Sequence, residues 1–173
     1  MITTLHKIRA HSPCRDGWEK LLRHLNKTAA DDEPLPIATV LDSNGVDDAL
    51  WCLRAVKGHD REIQLYAVWC ARQIQHLMAD PRSVAAVDAA ERYARGRASD
   101  AELIAARAEA WTAMEAAGAW AARAAASAAS AAAMAMAASW AWAAAQDAQA
   151  AELRRVCLEI EAGRDPYQEE NGR

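Results

Sequence analysis

AAGAWAARAAASAASAAAMAMAASWAWAAA, residues 116–145, decides the fold class. Alanine loses no side-chain entropy on entering a helix and is the best intrinsic helix former, so its preference summed over this stretch predicts helix throughout. The helix extends in both directions. Ser99 with Glu102 three residues on forms a capping box that starts it, and Gly163 followed by Pro166 ends it. At about 1.5 Å per residue, one unbroken rod over this span would reach ~95 Å, longer than a domain of this size is wide. A fold-back is therefore expected, at Gly118 or in the Ser127/Ser130 region.

The 173 residues suit a single domain, and 53% of them are hydrophobic. That figure overstates the core, because alanine supplies about half of it and Phe is absent. Alanine buries little area, so the seven Trp and the Leu, Ile and Val, most of them before residue 105, must provide most of the driving force. A net charge of −4 leaves no electrostatic footprint for nucleic acid or anionic membranes. Residues 116–145 are long enough to cross a bilayer, but they contain Arg123 and lack the Leu, Ile, Val and Phe that favour insertion. No membrane span is expected. Cys14, Cys52, Cys70 and Cys157 show no paired spacing and no signal peptide precedes them, so they read as reduced thiols of a cytoplasmic protein.

Before the alanine-rich half, ITTLHKI (residues 2–8) is too short and mixed to assign. Trp18, Leu21, Leu22 and Leu25 recur at helical spacing over Arg15–Asn26. KTAADDEPLP (27–36) reads as a surface connection with a solvated acidic triplet, Asp31, Asp32 and Glu33. A short helix over Pro36–Asp42 ends in the turn SNG. Helices are predicted at Val46–Lys57 and Asp60–Met78, folded as an antiparallel hairpin about Gly58 that forms the core. Asp80-Pro81 starts a further helix through about Arg95, with Val84, Val87 and Ala90 facing inward. These patterns predict an all-α helical bundle of about seven helices with a long alanine-rich C-terminal helix or helical hairpin. They divide the chain into an N-terminal helical part, 1–98, the alanine-rich element, 99–163, and a disordered tail, 164–173.

Residues suited to chemistry are few. His59-Asp60 has the pairing of metal phosphohydrolases, but Asp60 directly after Gly58 is explained by helix-start chemistry. Cys70 and His76, six apart, fall off a common helix face and make poor joint zinc ligands; Cys70 reads as a buried structural cysteine. Ser127, Ser130 and Ser139 have no neighbouring base, and no GxSxG, GxGxxG or phosphate loop is present. Glu91, Arg92, Arg95 and Arg97 read as a solvated helix end. No catalytic, metal or cofactor residue is assigned. Partner contact is instead expected at Trp111, Trp120, Met134, Trp140 and Trp142, since on one long helix Trp111 and Trp140 share a side while Trp120 and Trp142 lie nearly opposite.

CRDGWEKLLRHLNKTAADDEPLP (14–36), followed by DSNGVDDALWCLRAVKGHDREIQLYAVWCARQIQHLMADPRSVAAVDAAERYARG (42–96), resembles a group of small bacteriophage and prophage proteins likened to immunity proteins of polymorphic toxin systems. The likeness covers about residues 14–100, and the tail only in composition. Residues 124–145 lack the Arg and Asp that punctuate the tails of that group. The resemblance brings no catalytic residues. It implies a non-catalytic phage-type protein in the host bacterial cytoplasm that binds a protein partner stoichiometrically, as an inhibitor of a host defence system or as an immunity-type factor. Two rival readings are a structural homo-oligomer, at its simplest a homodimer, joined by alanine seams, and a small-ligand-sequestering protein or enzyme with Trp69, Cys70 and His76 near a cavity.

Overall fold

A computed structural model describes residues 1–73, 75–78, 80–125 and 131–168, and for helical residues 77, 113–125 and 131–144 the backbone alone. The fold is all-α, with eight α-helices among the described residues and one two-stranded sheet. The helices are α1 (Leu5–Ala10), α2 (Arg15–His24), α3 (Ile37–Asn44), α4 (Val46–Cys52), α5 (Asp60–Gln73), α6 (Pro81–Ala94), α7 (Asp100–Ala125) and α8 (Ala131–Glu161). Strands β1 (Ile2–Thr3) and β2 (Leu35–Pro36) pair antiparallel, Thr3 opposite Leu35. The chain forms two compact units, Met1–Ile63 with Gln146–Arg173 and Gln64–Ala145, which cut across the compositional division at residues 98 and 99.

In the first unit the core is built by the segment that the sequence pattern leaves unassigned. Met1, Leu5 and Ile8 are fully buried, with Ile37 and Val40 of α3 and Leu153, Val156 and Cys157 of α8. Thr4 caps α1 by accepting a hydrogen bond from the Lys7 N–H, which satisfies one orphan donor of a helix only six residues long. Buried Thr3 donates from Oγ1 to the Ala55 carbonyl at 2.8 Å and so ties β1 to the turn after α4. The helix predicted over Val46–Lys57 ends at Cys52 and tightens into a single 3-10 turn, Leu53–Ala55, before Val56 becomes extended. Helix α4 packs on α3 across Gly45, whose φ of 97° favours a residue without Cβ. The acidic triplet is fastened as well as solvated. Lys27 pairs with Asp31 and Glu33, and His6 Nδ1 lies 3.0 Å from Asp32.

The expected disordered tail is corrected over residues 164–168. Arg61 pairs with Asp165 at 3.0 Å, Arg155 donates to the Pro166 carbonyl at 3.2 Å, and its guanidinium lies 5.6 Å from the Tyr167 ring centre.

In the second unit α6 packs along α7. Asp80 accepts from the Arg82 N–H at 2.9 Å with Pro81 in the first turn, as predicted, while Ala89 and Ala94 are the buried residues of α6 and Val84, Val87 and Ala90 are half-buried. The capping box is present: the Ser99 N–H donates to Glu102 Oε2 at 2.8 Å and the Glu102 N–H to Ser99 Oγ at 3.3 Å. Helix α5 stops at Gln73, short of the predicted Met78, with a 3-10 turn at Gln75–Leu77. Over the described residues of the alanine-rich half, α7 runs through Gly118 to Ala125 and α8 from Ala131 to Glu161, and the fold-back expected in the Ser127/Ser130 region lies outside the described residues.

Candidate functional site

Helix α7 turns one face to α6 and carries Ile104 and Trp111 on another. Leu103 is buried, whereas Ile104 and Trp111 are 64% and 62% exposed. At 100° per residue, positions seven apart fall within about 20° of each other, and Ala101 and Ala108 join them on the same side. Both alanines are exposed. The result is an apolar strip along two turns of helix, with Asp100 at one end and Arg107 along one edge. Ile104 does not stand out by residue type as the tryptophans do, although the seven-residue interval between two large apolar side chains is the legible signal. Of the expected contact residues, Trp111 lies on this strip. Trp120 lies on α7, and Met134, Trp140 and Trp142 on α8, with side chains outside the described residues.

On the inward side, small residues leave space. Ala67 and Ala71 of α5, Ala86 and Ala90 of α6, and Leu103 of α7 line a cavity of about 240 Å³, with Tyr93 and Arg107 also in its lining. Arg72 joins α5 to α6 beside it: one guanidinium nitrogen lies 2.8 Å from Asp88 and 2.6 Å from Glu91. Hydrogen bonding from Arg72, reinforced by its charge and by Arg95, holds the Glu91 carboxyl below the ordinary glutamate range. The charged group at Glu91 thus fastens two helices. Its partner in α5 is a residue that the local pattern of α6 does not reveal.

In the first unit a smaller cavity of about 100 Å³ lies among α1 to α4. Ile8, Leu21 and Val40 line it with the indoles of Trp18 and Trp51, and Asp48 is its one charged lining residue. Trp69 stacks on Tyr66, ring centres 6.3 Å apart, and neither Trp69, Cys70 nor His76 lines either of these two spaces.

The cysteines are free thiols. Burial, with Asp48 nearby, pushes Cys52 up to about 12, and burial also raises Cys157. A thiol so shifted is a poor nucleophile, because the thiolate is the reactive form. Cys70 is half-buried and not fully enclosed as expected. His59 faces Glu62 at 3.7 Å, and no group of three or more His, Cys, Asp or Glu suited to a metal ion occurs among the described residues. No helix of the described residues is long and apolar enough to cross a membrane. Comparison with protein-family models, with curated proteins and with solved structures found no match.

Proposed function

We propose that this protein is a non-catalytic accessory factor that acts by stoichiometric binding of a protein partner, with the α7 strip as part of the contact surface. The observation that carries this reading is the exposure of Ile104 and Trp111 on one side of a single helix. Water-exposed large apolar groups gain most from being covered, and tryptophan is enriched among the residues that dominate binding energy. A helix presenting such anchors at seven-residue spacing has the geometry of helix-in-groove recognition. The phage-type resemblance of residues 14–100 supports the finer reading, an inhibitor of a host defence system or an immunity-type factor in the bacterial cytoplasm.

The test is capture of a bacterial partner by the tagged chain, compared with the double variant Ile104→Asp/Trp111→Ala. Both positions are exposed, so the variant is expected to keep its melting temperature and to lose capture by at least tenfold. Undiminished capture by the folded variant overturns the proposal. Light scattering on the same samples checks the homo-oligomer reading, in which the strip is covered by a second copy: self-association that disappears in the double variant places a copy of this chain, not a foreign protein, on α7.

A further inference from the structure

The small cavity of the first unit has a composition that the α7 reading does not use. Its walls are the indoles of Trp18 and Trp51, its floor is aliphatic, and Asp48 supplies its charge. Asp48 Oδ2 accepts a hydrogen bond from Asn44 Nδ2 at 2.7 Å, and Asn44 also donates to the Gly17 carbonyl at 2.8 Å. Among the described residues no cation pairs with Asp48, and its second carboxylate oxygen accepts no protein hydrogen bond. The carboxylate is held close against α2: a Cβ added at Gly17 would lie 2.7 Å from Asp48 Oδ2. The absence of a side chain there is what lets the carboxylate sit at the cavity edge.

Both indoles already attract cations. The Arg9 guanidinium lies 5.4 Å from the Trp18 ring centre and that of Arg54 4.4 Å from Trp51. Neither guanidinium lines the cavity, and Asp48 is the one charged residue that does. Two lining indoles with a carboxylate that no cation pairs with among the described residues make the environment in which an organic ammonium is stabilised, by the ring quadrupoles and by the opposite charge. The size restricts the guest, since a cavity of about 150 Å³ accommodates benzene. A space of about 100 Å³ takes a headgroup and not a whole drug-sized molecule.

We propose that this cavity is a binding site for a small organic ammonium headgroup, with Trp18 and Trp51 as the aromatic walls and Asp48 as the counter-ion. The headgroup belongs either to a free amine or to a lysine side chain, and the same chemistry recognises both.

The test is an NMR titration of the indole N–H signals of the full chain with three probes: choline, its neutral isostere 3,3-dimethylbutanol, and lysine capped at both backbone ends. Saturable shifts confined to Trp18 and Trp51 are expected with the cationic probes, at least fivefold tighter than with the alcohol. Tighter binding of choline assigns the site to a free small-molecule ammonium, and tighter binding of capped lysine to a protein side chain. Asp48→Asn keeps the shape and the acceptor for Asn44, and is expected to weaken the cationic probes about tenfold while leaving the alcohol unchanged. Equal affinity for the alcohol, shifts at other indoles, or no saturable shift with either cation overturns the proposal. The comparison of probes on the unaltered chain decides the matter even if Asp48→Asn disturbs folding.

Discussion

Thr3 shows how much one buried hydroxyl decides. It is completely inaccessible, and its one hydrogen bond reaches the Ala55 carbonyl, more than fifty residues away in sequence. Replacing it with valine conserves shape but leaves that carbonyl without its donor, a loss of about 1–3 kcal/mol for an unsatisfied buried acceptor. Thr3→Val is therefore expected to lower the urea midpoint, whereas Thr3→Ser, which retains the hydroxyl, recovers most of the hydrogen-bond contribution; equilibrium unfolding of the two variants separates it from packing. None of this is legible in ITTLHKI. A threonine in a mixed segment carries no period, and its partner is set by a turn that the pattern over Val46–Lys57 reads as continuing helix. Asp48 is similar: its place in the first turn of α4 is explained by the helix dipole, and only the approach of Gly17 gives it a second role.

At the scale of elements, signals local to the chain were legible and pairings were not. The capping box at Ser99, the Asp80-Pro81 start and the stop at Gly163 all stand, because each is satisfied within a few residues. The choice of neighbour is made by shape. Gly45 lets α3 and α4 fold onto each other, and the alanines of α6 let α7 approach closely. Charge then fixes which helices stay together. Arg72 bridges α5 to Asp88 and Glu91 of α6, and with its groups about a third exposed such a network contributes about 0.5–1 kcal/mol. Because Arg72 lowers the folded-state value of Glu91, the stabilisation is complete above the ordinary glutamate range and is lost as pH falls through the lowered value. Glu91→Gln is expected to be less stable than the parent at neutral pH and to converge with it as pH falls below the ordinary glutamate range; a stability difference independent of pH would show that the carboxylate acts through shape and not charge. The candidate face on α7 was legible in part. Trp111 stood out as a residue type, but the exposure that distinguishes it from core depends on which side of α7 meets α6.

For the whole molecule, the consequence lies in the first unit being discontinuous in sequence. Its core combines Met1, Leu5 and Ile8 from the start of the chain with Leu153, Val156 and Cys157 from the end of α8, so residues 64–145 must be spanned before it can close. Composition hides this, since the end of α8 continues the alanine-rich half and nothing in that low complexity marks Leu153 as belonging with residues 1–63. Closing a loop of this length is an entropic cost that grows only slowly with further length, and burial at both ends must offset it. Leu153→Ala removes a fully buried side chain from that closure, at an expected cost of about 2–5 kcal/mol. Where compact units open separately, the loss appears locally and not throughout the chain. Hydrogen exchange of Leu153→Ala is therefore expected to show faster amide exchange over Leu5–Ala10, Ile37–Asn44 and the end of α8, with the amides of Val84–Ala94 kept at parental protection. Equal loss in α6 would mean that the two units unfold as one, and that the end of α8 sustains the helix bearing Ile104 and Trp111 as well as its own core.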